Sequence, residues 1–152
     1  MPNRFTPKPL PRWTGKLFPG YGCDNSAGII VRCDRRVSQR IAAAVRTCAS
    51  GLMIVSPAEH WLTCVVLPQV NVLTPDNHPA QGFFYFPDWH PSKVTRASLA
   101  VCAGLGTIRH VLQILGHEYA HYEQWRDGHG YTERGVEVRG RNLVKMAMEV
   151  GS

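Results

Sequence analysis

Two histidines four residues apart, with a glutamate beside the first, stand at His117-Glu118-Tyr119-Ala120-His121. On a helix, residues i and i+4 share one face and lie one turn apart. Two imidazole nitrogens at that spacing can bind one Zn²⁺ at about 2.0–2.1 Å each. The glutamate next to the first histidine then faces the remaining coordination position, where water sits. Zinc lowers the pKa of that water, and the carboxylate takes its proton as it attacks a carbonyl. Chance is a poor explanation: with the chain's seven histidines and its glutamates, the pattern would arise at random in about one sequence in a hundred.

The spacing therefore assigns His117 and His121 as metal ligands and Glu118 as general base. A catalytic zinc needs a third protein ligand, and Asp127, His129, Glu133 and Glu137 all follow within reach. From His121 to Asp127 a helix climbs about 9 Å. A returning helix that starts near Thr132 descends about 7 Å by Glu137, back to the level of the histidines, whereas Glu133 stays near the turn. That arithmetic favours Glu137. Each candidate also has a use without metal: Glu137 can pair with Arg141 at i,i+4, Glu133 can complement a helix N-terminus, and His129 can simply be solvated. Tyr131, in the turn beside the site, is the candidate donor to an oxyanion. Tyr122 points about 100° away from its neighbour His121, into the core. His110, seven residues before His117, shares its helix face, either backing the site or as a partly buried helix residue.

These residues need elements to hold them. Val111, Leu112, Ile114 and Leu115 give the turns before the motif an apolar face, predicting a helix from about Thr107 to Arg126. The turn Asp127-Gly128-His129-Gly130 ends it, and a last helix is expected from Thr132, as N-cap, to about Glu149. Upstream, Gly28–Cys33 reads as a strand. Val37, Ile41, Ala44, Val45 and Cys48 recur at helical spacing over about 35–49, with Gly51 as a stop signal. Leu52–Val55, Trp61–Leu67, Val70–Leu73, Phe83–Phe86 and Ala97–Ala103 read as strands, broken by Pro57, Pro68 and Pro75. Trp61, Trp89 and Trp125 read as core or cleft-rim aromatics, and Asp88-Trp89-His90-Pro91 as a turn. The order predicts an α+β domain, a small mixed sheet backed by helices. Residues 1–22 hold five of the eleven prolines and read as an extended arm, leaving 23–152 as one domain.

The run LGHEYAHYEQWRDG…ERGVEVRGRNLV, over about 107–145, resembles the small HExxH metallopeptidase domains of bacteria and phages. These are the ImmA/IrrE-like and SprT-like groups and the minimal gluzincins. The resemblance implies a zincin fold, a zinc-bound water, a glutamate base and peptide-bond hydrolysis, with the third ligand on the helix after the motif. It maps onto His117, His121 and Glu118. A metzincin would require glycine at 124 and histidine at 127, where this chain has Gln124 and Asp127. The resemblance also implies that an extended substrate lines up along the strand preceding the active-site helix, here Ala97–Ala103.

Bulk properties bound the rest. A chain of 152 residues, 44% hydrophobic and 18% charged, suits one soluble domain with a real core. No apolar run approaches the roughly 20 residues that span a bilayer, and the first residues lack a secretory apolar core. Five cysteines without a CxxC pair argue against a disulfide framework or a cysteine zinc site, and for reduced thiols in the cytoplasm, with one Cys23–Cys33 bridge as the alternative. A net charge of +6 and pI near 9.3 keep nucleic acid open as a partner beside a protein or peptide substrate. The arginines at 32, 35, 36 and 40 and at 134, 139 and 141 fit solvated helix faces equally well. Two other function classes are compatible with this balance: a zinc-bearing module that binds nucleic acid or a regulator, and a phage assembly protein that keeps the fold as scaffold.

Overall fold

Ser38 opens the first helix, its hydroxyl accepting from the Ile41 N–H at 3.2 Å, which satisfies one of the donors a helix start leaves over. In the computed structural model, which describes residues 27–85 and 97–151, that helix is α1 (Gln39–Val55). It follows strand β1 (Gly28–Cys33) and precedes β2 (Trp61–Leu67). A hairpin of two short strands, β3 (Val72–Leu73) and β4 (Pro79–Ala80), leads to β5 (Gly82–Tyr85). Strand β6 (Ala97–Cys102) then feeds α2 (Ile108–Arg126), and α3 (Val136–Gly151) closes the described chain. The arm over 1–22, Cys23, Phe86 and the Asp88–Pro91 turn with Trp89 lie outside the described residues.

The main sheet has the order β1-β2-β6-β5. The first two pairings are parallel and β5 runs antiparallel to β6, so the fold is α+β with a mixed sheet. Side chains alternate across a strand, and the alternation sorts the core. Leu62, Cys64, Val66, Phe84, Leu99 and Val101 face the helices, together with Ile41, Val45, Leu52, Leu115, Tyr119 and Leu143. Val65, Leu67, Tyr85, Ala100 and Cys102 face the other way, where Val72 of the hairpin covers them. Burial on both faces explains why β2 and β6 are mostly apolar, with Thr63 and Ser98 as their buried polar residues.

Three sequence expectations differ from the structure. Leu52–Val55 is the last turn of α1, not a strand. Gly51 sits inside the helix because α3 crosses there: a Cβ at Gly51 would lie 2.0 Å from the Ala147 carbonyl oxygen. Ala97–Ala103 supplies β6, an interior strand between β2 and β5, so the edge on this side of the sheet, among the described residues, is β5. Finally, α3 begins at Val136 rather than at Thr132. Thr132 instead accepts the Arg134 N–H on its hydroxyl at 3.2 Å, a local turn that postpones the helix.

Helices α2 and α3 meet at Gly116 and Gly140. A Cβ at Gly116 would lie 2.5 Å from the Gly140 carbonyl oxygen, and one at Gly140 would lie 2.8 Å from the backbone nitrogen of His117. Only glycines let the two backbones touch here. The crossing is stapled by Glu123 of α2, which accepts from Arg139 Nε and Nη2 at 2.8 Å each and from the Ser56 hydroxyl at 2.6 Å. Burial alone would push the Glu123 carboxyl up, but the Arg139 and Ser56 hydrogen bonds and the Arg126 charge hold it below the usual range.

Candidate metal centre

Thr107 caps α2, its hydroxyl accepting from the His110 N–H, and the helix runs unbroken through His117-Glu118-Tyr119-Ala120-His121. The two imidazoles share one face, with ring centroids 5.0 Å apart. His121 is almost fully buried and His117 partly so. The segment after α2 folds back over them and brings Glu133 into place. One Glu133 oxygen lies 3.0 Å from His117 Nε2 and the other 3.1 Å from His121 Nε2. The ligand atoms of these three residues fall within 4.8 Å of one another.

The nitrogens on the far side of each ring are also engaged. His117 Nδ1 meets Glu137 at 2.8 Å, and His121 Nδ1 meets the Gln124 side-chain oxygen at 3.0 Å. Both partners accept, so each can hold a proton on Nδ1 and leave Nε2, on the Glu133 side, as the nitrogen offered to a metal. Burial lowers the His121 pKa, which further favours the neutral, ligating form. Two imidazole nitrogens and a carboxylate are the donor set of a zinc site with a position left open.

Glu137, the ligand favoured by helix arithmetic, thus occupies a different position: it backs His117 instead of joining the Nε2 cluster. The reason is the late start of α3. With Val136 as the first helical residue, Glu137 lies in the first turn beside His117, and Glu133 hangs on the non-helical segment that crosses the two rings. Asp127 accepts from Arg126 at 2.8 Å and 3.1 Å. It and His129 line a separate groove with Arg134 and Arg139, away from the cluster. His110 backs neither histidine. It lines the cleft further along α2, and its Nε2 is buried without a hydrogen-bond partner.

Glu118 is 6% exposed. Its Oε1 lies 4.0 Å from His117 Nε2, and its Oε2 is buried with no partner. Burial, then the charges of Glu133 and Glu137, push its carboxyl up to about 8, against a hydrogen bond from the Phe84 backbone. Such an upward shift beside a cleft marks a group placed to exchange protons near neutral pH. Tyr131 stacks on His121 with centroids 4.0 Å apart and planes 7° from parallel. Its phenol pKa is raised by burial and by Glu118, Glu133 and Asp76, so the hydroxyl stays protonated. Tyr122 lies in the core, accepting from the Glu59 N–H at 2.9 Å, with Trp125 packed against it and His60.

A cleft of about 410 Å³ joins these groups, with Gln81, Gly82 and Phe83 on one wall and His117, Glu118 and Tyr131 on the other. Gly82 is required for the approach: a Cβ there would lie 2.4 Å from Ile114 and 3.1 Å from Glu118. The Cys102 N–H donates to the Gln81 carbonyl. In an antiparallel pair this alternation turns the backbone groups of Gly82 and Phe84 away from β6, toward the cleft side.

Sequence reasoning missed two participants, Gln124 and β5. The first had a signal, since three residues after His121 is a helix neighbour; the second depends on strand order, which no local pattern carries. No helix among the described residues is long and apolar enough to cross a membrane. Cys33, Cys48, Cys64 and Cys102 are free thiols, and burial pushes Cys48 and Cys102 up to about 12. No family model, no characterised protein and no solved structure matches this chain, so its functional reading rests on the geometry of this site.

Proposed function

We infer that this chain is a zinc-dependent metallopeptidase of the HExxH type. The observation that carries the reading is the convergence of His117 Nε2, His121 Nε2 and the Glu133 carboxylate beside the buried, unpartnered Glu118 Oε2. His117, His121 and Glu133 hold the metal, with Glu137 steadying His117 from behind. When bound, zinc supplies Lewis-acid polarisation of a carbonyl and a water of lowered pKa.

The chain's own residues do the rest. An extended protein or peptide substrate lies along β5, where Gly82 leaves room beside Glu118. Glu118 accepts the proton of the attacking water and delivers it to the departing nitrogen, so that the C–N bond breaks and a C–O bond forms. Its raised pKa suits both halves of that transfer. The Tyr131 hydroxyl donates to the carbonyl oxygen as negative charge develops there. A zinc kept only as scaffold, in a binding module or an assembly protein, has no use for Glu118, whose buried Oε2 without a partner costs stability. The free, buried thiols accord with a reducing compartment such as the cytoplasm.

The test is cleavage of an unfolded casein-type protein. Wild type with zinc should cut it, a chelator should stop the cutting and added zinc should restore it. Glu118→Gln should keep its metal and cut nothing. Cleavage that ignores the chelator, or full activity in Glu118→Gln, overturns the reading.

A further inference from the structure

Glu133 stands on a segment with no regular structure, between α2 and α3. The segment is bounded by Gly128 and Gly135, both at positive φ, 76° and 77°, and a Cβ at either would meet nothing within 4 Å. The Glu133 side chain is 65% exposed. A ligand in such a setting needs something to hold its backbone. Thr132, the residue before it, is held by the side chain of Gln124. The Gln124 Nε2 donates to the Thr132 carbonyl at 2.9 Å, and the Thr132 N–H donates to the Gln124 Oε1 at 3.3 Å. The amide pairs with the Thr132 backbone as a neighbouring strand would.

That pairing has a second effect. The Thr132 backbone offers one donor and one acceptor, so it fixes which end of the Gln124 amide is oxygen. The same Oε1 lies 3.0 Å from His121 Nδ1. An oxygen there accepts only, so it can hold a proton on His121 Nδ1 and leave Nε2, which meets Glu133 at 3.1 Å, as the nitrogen a metal would take.

We propose that Gln124 is a positioning residue that ties two metal ligands together: it braces the His121 ring at Nδ1 and holds the loop that presents Glu133. It touches no metal itself. Its effect on zinc rests on the metal-site reading above; its effect on His121 and on Thr132 does not.

The test compares wild type with Gln124→Leu, which keeps the bulk and removes both hydrogen-bonding ends, and with Gln124→Glu, which keeps the acceptors toward His121 Nδ1 and the Thr132 N–H. In the metal-free protein the Thr132 amide should exchange with solvent at least about tenfold faster in Gln124→Leu than in wild type and should stay protected in Gln124→Glu. Zinc affinity, read by competition with a chelator, should fall about 10–100-fold in Gln124→Leu and recover in Gln124→Glu. Unchanged Thr132 exchange in Gln124→Leu overturns the proposal, as does a zinc affinity equal to that of wild type. If Gln124→Leu fails to fold, Gln124→Ala is read in its place. Wild type that binds no zinc sinks the metal reading alone, and Thr132 exchange still decides whether Gln124 holds the loop.

Discussion

Removing Glu133 should strip zinc from the protein more completely than removing Glu137. Glu133 faces Nε2 of both histidines, at 3.0 Å and 3.1 Å, whereas Glu137 meets only His117 Nδ1, at 2.8 Å. Structural zinc sites bind with about 10–16 kcal/mol. Spread over four coordination positions, that gives each ligand about 3 kcal/mol, so Glu133→Ala should weaken zinc by about 150-fold. Glu137→Ala removes a hydrogen bond behind a ligand and should cost about 10–100-fold. Glu137→Gln keeps an acceptor for the Nδ1–H and should cost less than that. Titration of each variant with a chromophoric chelator of known zinc affinity gives the three constants, and denaturant unfolding of the metal-free forms checks that the fold is intact. If Glu137→Ala loses more zinc than Glu133→Ala, the cluster is wired differently from the one described. If both variants keep their metal, neither glutamate is a ligand and the centre fails as drawn.

Other outcomes follow from the same geometry. Gly140→Ala would set a methyl group 2.8 Å from backbone atoms of Gly116 and His117. Since backbone cannot step aside cheaply, it should destabilise by about 1–3 kcal/mol, read by denaturant unfolding, and weaken zinc by displacing Glu137. Glu118→Gln should stabilise the metal-free protein at pH 9 far more than at pH 5. The Glu118 carboxyl stays protonated in the fold up to about 8, while the unfolded chain releases that proton near the ordinary value of 4.5. Wild type therefore loses stability as pH rises between those values, by a few kcal/mol in all, on the order of one per pH unit. The variant does not, and melting curves across pH should show the gap widen and then level off. Tyr131→Phe should lower kcat by up to about 100-fold with zinc content unchanged, because its hydroxyl acts on developing charge and not on the metal. A loss of metal in that variant would contradict this role, since phenylalanine keeps the ring stacked on His121.

The helix that carries the histidines was readable because its signals are local. The Thr107 cap, the apolar face over Val111–Leu115 and the i,i+4 histidines all lie within twenty residues of one another. Strand β1 and the α+β order were legible for the same reason. What escaped is what depends on distant partners. Gly51 carries the composition of a helix stop, yet its missing Cβ serves a crossing with Ala147, nearly a hundred positions away. Ala97–Ala103 looks like any buried strand, and only the pairing with both β2 and β5 shows that it is interior. That Glu133 and not Glu137 faces Nε2 of both histidines turns on the later start of α3, at Val136. Thr132 is a good N-cap by type, but Gln124 already holds its backbone. An i,i+4 pair of glutamates lets such a shift move one from ligand to support.

The most direct test of the central claim is the metal content of the intact chain. Protein expressed with zinc present, dialysed and weighed by elemental mass spectrometry, should carry about one zinc per chain, since His117, His121 and Glu133 form one site with an open position. Wild-type protein with essentially no zinc under those conditions would contradict the account.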